Sequence, residues 1–321
     1  MEKISFKQPS LTIAEQLILL QQKGLIIEEE ATAEHWLSHI SYFRFKHYSY
    51  GFKDYKNNSG NYFAGTKFEE VRDLYLFDRK IKMLIFEALE NIEIAVKTQL
   101  SNKMAAGYGA HWYLDSNYFI SEQERRQMIR NARIGEEIPN TFNHAMYIKN
   151  LEEYMKAPDE VFLKSYKDLY TPELPPSWMM VEIITFGTLS ILFENLKPCE
   201  EKTAVHDHFG LTKKHFVSWL HCFSFIRNKC AHHARLIYSK ITFAPSLPQK
   251  RSRQFLAEAD VVNNASLYAV MCCIQHMLNT CNNKSSFKTQ LLAITDEYPG
   301  INYNLLGFTT HWKRESLWSA Q

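Results

Sequence analysis

Glycine and proline are scarce in this chain, 11 and 10 of its 321 residues. Turn-rich β folds draw heavily on both, so their shortage points away from that class and towards long helices. No β-like alternation, internal repeat or low-complexity run of useful length occurs. There is no glycine-rich phosphate loop, no Gly-x-Ser-x-Gly elbow and no HExxH pair. The common nucleotide, serine-hydrolase and zinc-protease signatures are therefore absent. No stretch reaches the roughly 18 uninterrupted apolar residues that a membrane span needs. The segment Met1 to Lys7 has no apolar signal core, and a soluble, cytoplasmic protein is expected. The six cysteines form no CxxC pair, and four of them (Cys222, Cys230, Cys272 and Cys273) lie in apolar helical stretches. They read as reduced core thiols of a cytosolic protein. Net charge is only +2, so any nucleic-acid surface must be a local patch.

Apolar residues are plentiful at 45%, and aromatic residues at 14%, which allows a sizeable core and disfavours long disorder. Thr12 and Glu15 have capping-box spacing and open a first helix that Gly24 stops. Further helices are expected over 28–40, 67–103, 121–132, 143–156, 158–169, 177–196, 211–226, 252–281 and 285–297. Pro175 and Pro176 suit the first turn of the 177–196 helix, in which Gly187 marks a close crossing. The fold class is all-α: a helical bundle over 63–300, a small helical N-terminal lobe over 1–62 and a tail over 301–321.

The most informative stretch runs from Ser224 to Arg235, where Arg227, Asn228, His232, His233 and Arg235 interrupt an apolar helical pattern. Placing so many polar groups on a packed helix is costly unless they are paired or open to a cleft. Arginine brings a permanent forked charge, and histidine titrates near neutral pH. That combination suits gripping a phosphate and moving a proton. Read as one helix over 223–239, Asn228, His232, Arg235 and Ser239 share one face, opposite Phe223, Ile226, Cys230, Ala234 and Ile237. Arg227 then points more than a right angle away from His232. Either the helix begins near Arg227, or the arginine swings round, or a second subunit completes the site. The plainer alternative is an amphipathic helix with its polar face in water.

Arg227-Asn228-Lys229-Cys230-Ala231-His232 resembles the R-x4-6-H motif of HEPN-domain ribonucleases. The rest of the chain resembles the Abi-like abortive-infection proteins, which carry such a domain. The matching parts are Leu25-Ile26-Ile27 leading to Ile40-Ser41-Tyr42-Phe43-Arg44-Phe45, Phe77-Asp78-Arg79 followed by Glu90 to Ala95, and Pro176-Ser177-Trp178 through Glu182 to Ser190. Together they span most of residues 10–240. Where the family often reads Tyr-Tyr-Arg-Leu, this chain has Tyr42-Phe43-Arg44-Phe45.

The resemblance implies a HEPN-like bundle and metal-independent RNA cleavage by 2′-hydroxyl attack, with no cofactor. Arg227, Asn228 and His232 would be catalytic. His232 would accept the 2′-hydroxyl proton or protonate the leaving oxygen, and Arg227 would stabilise the charge on phosphorus. Asn228 would orient His232 or a phosphate oxygen. The resemblance also implies a homodimer joined near this helix, and an activity restrained by a structured small RNA or an antitoxin protein. A non-catalytic HEPN-fold RNA-binding or scaffold protein is the alternative.

His233 and Arg235 are secondary candidates, His233 being divided between site and packing. Glu182 or Glu93 could pair Arg227 or orient His232. Candidate RNA contacts are Arg44, Lys46, Arg125, Arg126, Arg130, Lys250 and Arg251. The aromatics around Arg44 are read in the first place as a latch for the N-terminal lobe, and the acids beside Arg125 allow a solvated face. His206-Asp207-His208 lacks further ligands at metal-binding spacing, so no metal is expected and solvated helix-end histidines are the plainer reading. A helix-turn-helix over 11–50 is disfavoured by bulky aromatics in its recognition stretch.

Overall fold

The computed structural model describes residues 5, 9–55, 57, 60–132, 138–248, 255–256 and 262–319. Among them the protein is all-α, with thirteen α-helices, no strand and three isolated β-bridges. The chain divides into two compact units, Met1–Lys82 with Leu291–Asn302 and Met83–Gln290 with Tyr303–Gln321. Helices α4 (Phe68–Tyr108) and α13 (Phe287–Glu297) contribute residues to both.

The first unit begins with α1 (Ile13–Gln22), α2 (Glu30–Ile40) and α3 (Tyr42–Tyr48). The expected capping box opens α1. Thr12 Oγ1 accepts the Glu15 N–H at 3.3 Å, and Glu15 Oε2 accepts the Thr12 N–H at 2.7 Å. Gly24, at φ +87°, turns the chain after it in a conformation that glycine adopts freely. Part of the aromatic stretch packs against the start of α4. Phe45 is buried and stacks on Phe68 at 4.5 Å, and the Tyr48 hydroxyl donates to Asp78 Oδ2 at 2.6 Å. Asp78 is fully buried, but Lys82 one turn on pairs with it at 2.9 Å, which offsets the desolvation of the carboxylate. Phe43 on the same helix remains in solvent.

In the second unit α4 buries Leu84, Ile85, Ala88, Leu89, Ile92, Val96, Leu100 and Met104, the three-and-four spacing of one helix face. It leaves Met83, Phe86 and Ile94 exposed. Then follow α5 (Glu122–Asn131), α6 (His144–Lys156), α7 (Val161–Leu169), α8 (Ser177–Ile183), α9 (Phe186–Asn195), α10 (Glu200–His208), α11 (Lys213–Ala231) and α12 (Leu267–Cys281). Helix α12 buries eleven of its fifteen residues, so it is enclosed on nearly every side. The closing segment wraps it: Phe308, Trp312 and Trp318 surround Tyr268, whose hydroxyl accepts the Trp318 Nε1–H at 3.1 Å. All six cysteines are free thiols, four of them buried.

The expected 67–103 helix runs on to Tyr108 as α4, and three further expected helices have different limits. The 177–196 stretch is two helices, because Ile184 is extended and Thr185 caps a new start by accepting the Thr188 N–H at 3.1 Å. Helix α12 starts at Leu267 instead of near 252. Ser266 caps it by accepting the Ala269 N–H, while Phe255 and Leu256 are buried and non-helical. The other residues of 249–261 lie outside the described residues. The 223–239 helix ends at Ala231.

Candidate functional site

Helix α11 carries the arginine–histidine segment at its C-terminal end, continuous with the helix expected over 211–226. Thr212 opens it by accepting the His215 N–H. Helix α9 crosses it closely at Gly187, where a Cβ would stand 3.2 Å from Ser224 Oγ. Downstream, the chain doubles back along the helix. Trp219 Nε1 donates to the Ser246 carbonyl at 2.7 Å, and the Ser246 N–H donates to Ser218 Oγ at 2.8 Å. Leu236, Ile237 and Ile241 anchor this return by burial.

Arg227 is half-buried. Its guanidinium lies 5.8 Å from the centre of the Phe86 ring, a cation–π contact, and its Nη1 donates to Asn228 Oδ1 at 3.3 Å. Asn228 is exposed, and its carbonyl accepts the His232 N–H at 3.0 Å. His232 is the exposed C-cap. The helix then stops in a Schellman turn: the Ala234 N–H reaches the Lys229 carbonyl at 3.0 Å and the His233 N–H reaches that of Cys230 at 3.2 Å. His233 therefore sits at φ +54°, in the left-handed region where glycine is usual.

This ending overturns the single polar face expected over 223–239. Arg235 and Ser239 lie beyond the helix, and Ser239 Oγ instead receives Lys229 Nζ at 2.7 Å. Asn228 is the link between the two principal residues, touching Arg227 through its side chain and His232 through its backbone. No hydrogen bond joins Arg227 directly to His232 among the described residues.

Neither candidate carboxylate hydrogen-bonds Arg227 or His232 among the described residues. Glu93 is paired with Lys97 one turn along α4, at 3.0 Å. Glu182 is exposed on α8. Of the candidate RNA contacts, Arg44 and Lys46 are half-buried on α3. On α5, which buries no residue, Arg125 Nε donates to the Pro139 carbonyl at 3.0 Å, Arg126 pairs with Glu122 at 3.1 Å and Arg130 is exposed. Lys250 and Arg251 lie outside the described residues. His206 closes the last turn of α10, its Nδ1–H donating to the Leu211 carbonyl at 2.8 Å.

Two buried polar groups beside α11 were not singled out from the sequence. His221 bridges α11 to α9, with Nδ1 2.9 Å from Ser190 Oγ and Nε2 3.2 Å from Glu194 Oε2. The same Glu194 oxygen accepts the Asn140 N–H at 2.9 Å and Nδ2–H at 3.0 Å. Burial pushes the Glu194 carboxyl up, but the bonds from His221 and Asn140 outweigh it and hold the group below its ordinary value. Lys202 is 2% exposed and donates from Nζ to the Glu194 and Leu196 carbonyls at the end of α9. Burial pulls this amine down to about 7. Ser190 and Glu194 stand one turn apart on α9, a spacing visible in the sequence, but their partner on α11 is fixed only by helix pairing.

The chemistry of the segment comes down to a held guanidinium and a solvent-facing imidazole at the end of one helix, in an all-α protein. Such a pair can bind an anion and exchange a proton with it. The family model described as Abi-like protein matches residues 35–238, from within α2 through α11 and the turn beyond. The chain belongs to the Abi-like protein family. This membership suggests a role in abortive infection. No curated protein and no solved structure matches the chain. No helix among the described residues is long and apolar enough to cross a membrane.

Proposed function

We propose that the protein is a HEPN-type endoribonuclease, the toxin of an abortive-infection system, and that it acts as a homodimer. One observation carries the reading: in a chain of this family, Arg227, Asn228 and His232 occupy the solvent-accessible end of α11. Neutral His232 removes the proton of an RNA 2′-hydroxyl, whose oxygen attacks the adjacent phosphorus. The 5′-oxygen leaves with a proton from an imidazolium, and a 2′,3′-cyclic phosphate remains. Arg227 stabilises the extra charge on the phosphorane, and Asn228 holds the guanidinium in place.

Five residues along an α-helix turn through about 140°, so Arg227 and His232 of one copy diverge. A second copy brings the missing group across the seam. The exposed Met83, Phe86 and Ile94 of α4, with Arg227 lying over Phe86, support a contact face beside the site. Arg44, Lys46, Arg125, Arg126 and Arg130 are proposed to bind RNA phosphates. A small RNA or antitoxin protein is proposed to restrain the activity.

The test uses purified protein and total RNA in EDTA, with mapping of the cleaved ends. His232→Ala and Arg227→Ala are each expected to lower cleavage by about 100-fold or more, with helicity and dimerisation unchanged. Undiminished cleavage by both variants refutes the assignment. Tight, salt-sensitive RNA binding without cleavage favours the scaffold reading instead.

A further inference from the structure

Three lysines from separate elements meet in the first unit. Lys23 caps the end of α1, Lys46 lies on α3, and Lys53 follows a short 3₁₀ turn over Ser49–Phe52. The backbone draws Lys23 and Lys53 together through Tyr62, and Lys46 lies one turn before the segment that leads to Lys53. Lys53 and Tyr62 form an antiparallel bridge, the Tyr62 N–H donates to the Lys23 carbonyl at 2.8 Å, and Ser49 Oγ donates to the Lys46 carbonyl at 2.9 Å. Lys53 is 5% exposed, and its Nζ lies 4.5 Å from the centre of the Tyr62 ring. No carboxylate, carbonyl or hydroxyl among the described residues bonds this ammonium. The Tyr62 ring beside it is itself buried. Burial, together with Lys23 and Lys46, pushes the Lys53 amine down to about 8.

Gathering cations around a buried ammonium with no counter-charge costs stability. A phosphate removes that cost, since lysine ammoniums bind it as point charges. The rim supplies a second element of recognition. Tyr50 and Tyr55 are both exposed and stack at 5.5 Å with an interplanar angle of 23°, with the His47 ring edge-on to Tyr50 at 6.1 Å. The Tyr55 N–H donates to the Lys53 carbonyl at 3.2 Å, which fixes this ring pair next to the lysines. Paired aromatic faces stack nucleobases with little regard to sequence.

We propose that this cluster is a nucleotide site, with a phosphate on Lys23, Lys46 and Lys53 and its base against the Tyr50–Tyr55 pair. The nucleotide comes either free or as the phosphorylated end of an RNA. The site does not depend on the catalytic reading of Arg227 and His232.

The experiment measures the thermal midpoint and the calorimetric affinity of the full chain. The probes are inorganic phosphate, AMP and a 5′-phosphorylated single-stranded oligoribonucleotide. AMP and the oligonucleotide are expected to bind about tenfold or more tighter than inorganic phosphate. Lys53→Met is expected to raise the midpoint without ligand and to abolish the ligand-induced shift, whereas Lys53→Arg retains it. Tyr55→Ala is expected to lose the preference for AMP while keeping phosphate. Tighter AMP identifies a free nucleotide, and a tighter oligonucleotide identifies an RNA end. His232→Ala is expected to bind AMP as the wild type does, which separates this site from the cleavage proposal. Loss of AMP binding in that variant overturns the proposal. So does absence of binding at millimolar AMP, unchanged binding by Lys53→Met, or a lower unliganded midpoint in that variant. Equal affinity for phosphate and AMP, unaffected by Tyr55→Ala, overturns the nucleotide assignment. If Lys53→Met does not fold, the Lys23→Met/Lys46→Met double variant makes the same test, with retained binding as the overturning result.

Discussion

Replacing Glu194 with glutamine removes one negative charge from the α9–α11 seam with almost no change in volume. One oxygen of Glu194 faces three donor groups: Asn140 N at 2.9 Å, Asn140 Nδ2 at 3.0 Å and His221 Nε2 at 3.2 Å. Glutamine keeps one acceptor but brings an NH2 group into a cluster already crowded with donors. Hydrogen bonds to a charged group contribute about 1.5–3 kcal/mol each, and leaving a buried donor unmatched costs about 1–3 kcal/mol. The side chain is still 11% exposed, so the expected loss at pH 7 is a moderate one, about 2–3 kcal/mol. At roughly 2–4 °C per kcal/mol for a unit of this size, the midpoint falls by about 4–12 °C.

The sign of the pH dependence gives a sharper test. The folded carboxyl is held below its ordinary value of 4.5, so its contribution is complete above 4.5 and is lost as pH falls through the folded value. The gap between wild type and Glu194→Gln should therefore be widest near neutrality and close in acid. Urea unfolding followed by circular dichroism from pH 7 to pH 3 measures it. Parallel curves across that range, or a gap that widens in acid, would refute the argument that charge at Glu194 holds the seam.

Two further outcomes follow from neighbouring groups. Lys202 has a folded value of about 7 against an ordinary 10.5, so the unfolded chain binds more protons between those limits. Stability from this group is complete above 10.5 and is lost as pH falls to about 7, so wild type should gain stability from pH 7 to 10 and Lys202→Met should show a flatter profile in urea titrations. His233→Gly releases a left-handed residue that costs roughly 1–2 kcal/mol, offset in part by the freedom glycine adds to the unfolded chain. A midpoint raised by about 1–3 °C is expected in calorimetry, and a lowered midpoint would show that the imidazole at 233 contributes more than its strain.

The helical class was legible because Gly and Pro are few and the apolar spacing is regular. Local end signals carried furthest, as at Thr12 and Glu15, where two side chains within one turn decide the outcome. The sequence reading failed where an apolar pattern ran on past a cap. Thr185 interrupts a run that looks continuous from Ser177 to Leu196, and Ser266 begins a helix whose apolar pattern extends further upstream. The end of α11 was hidden because its terminating residue is His233, not a glycine or asparagine. At the candidate site, the residue types of Arg227, Asn228 and His232 were plain, but their directions depended on that hidden terminus. The Glu194–His221 bridge joins residues 27 positions apart through a helix crossing, and periodicity along one helix does not record which other helix it meets.

Burial of Cys222, Cys272 and Cys273 raises their thiols well above the ordinary value, so almost no thiolate forms at neutral pH. A soluble alkylating reagent reaches these sulfurs only when α11 and α12 part. The speed at which they are modified then records how often the core opens, and the chain carries in its interior a chemical clock for its own breathing.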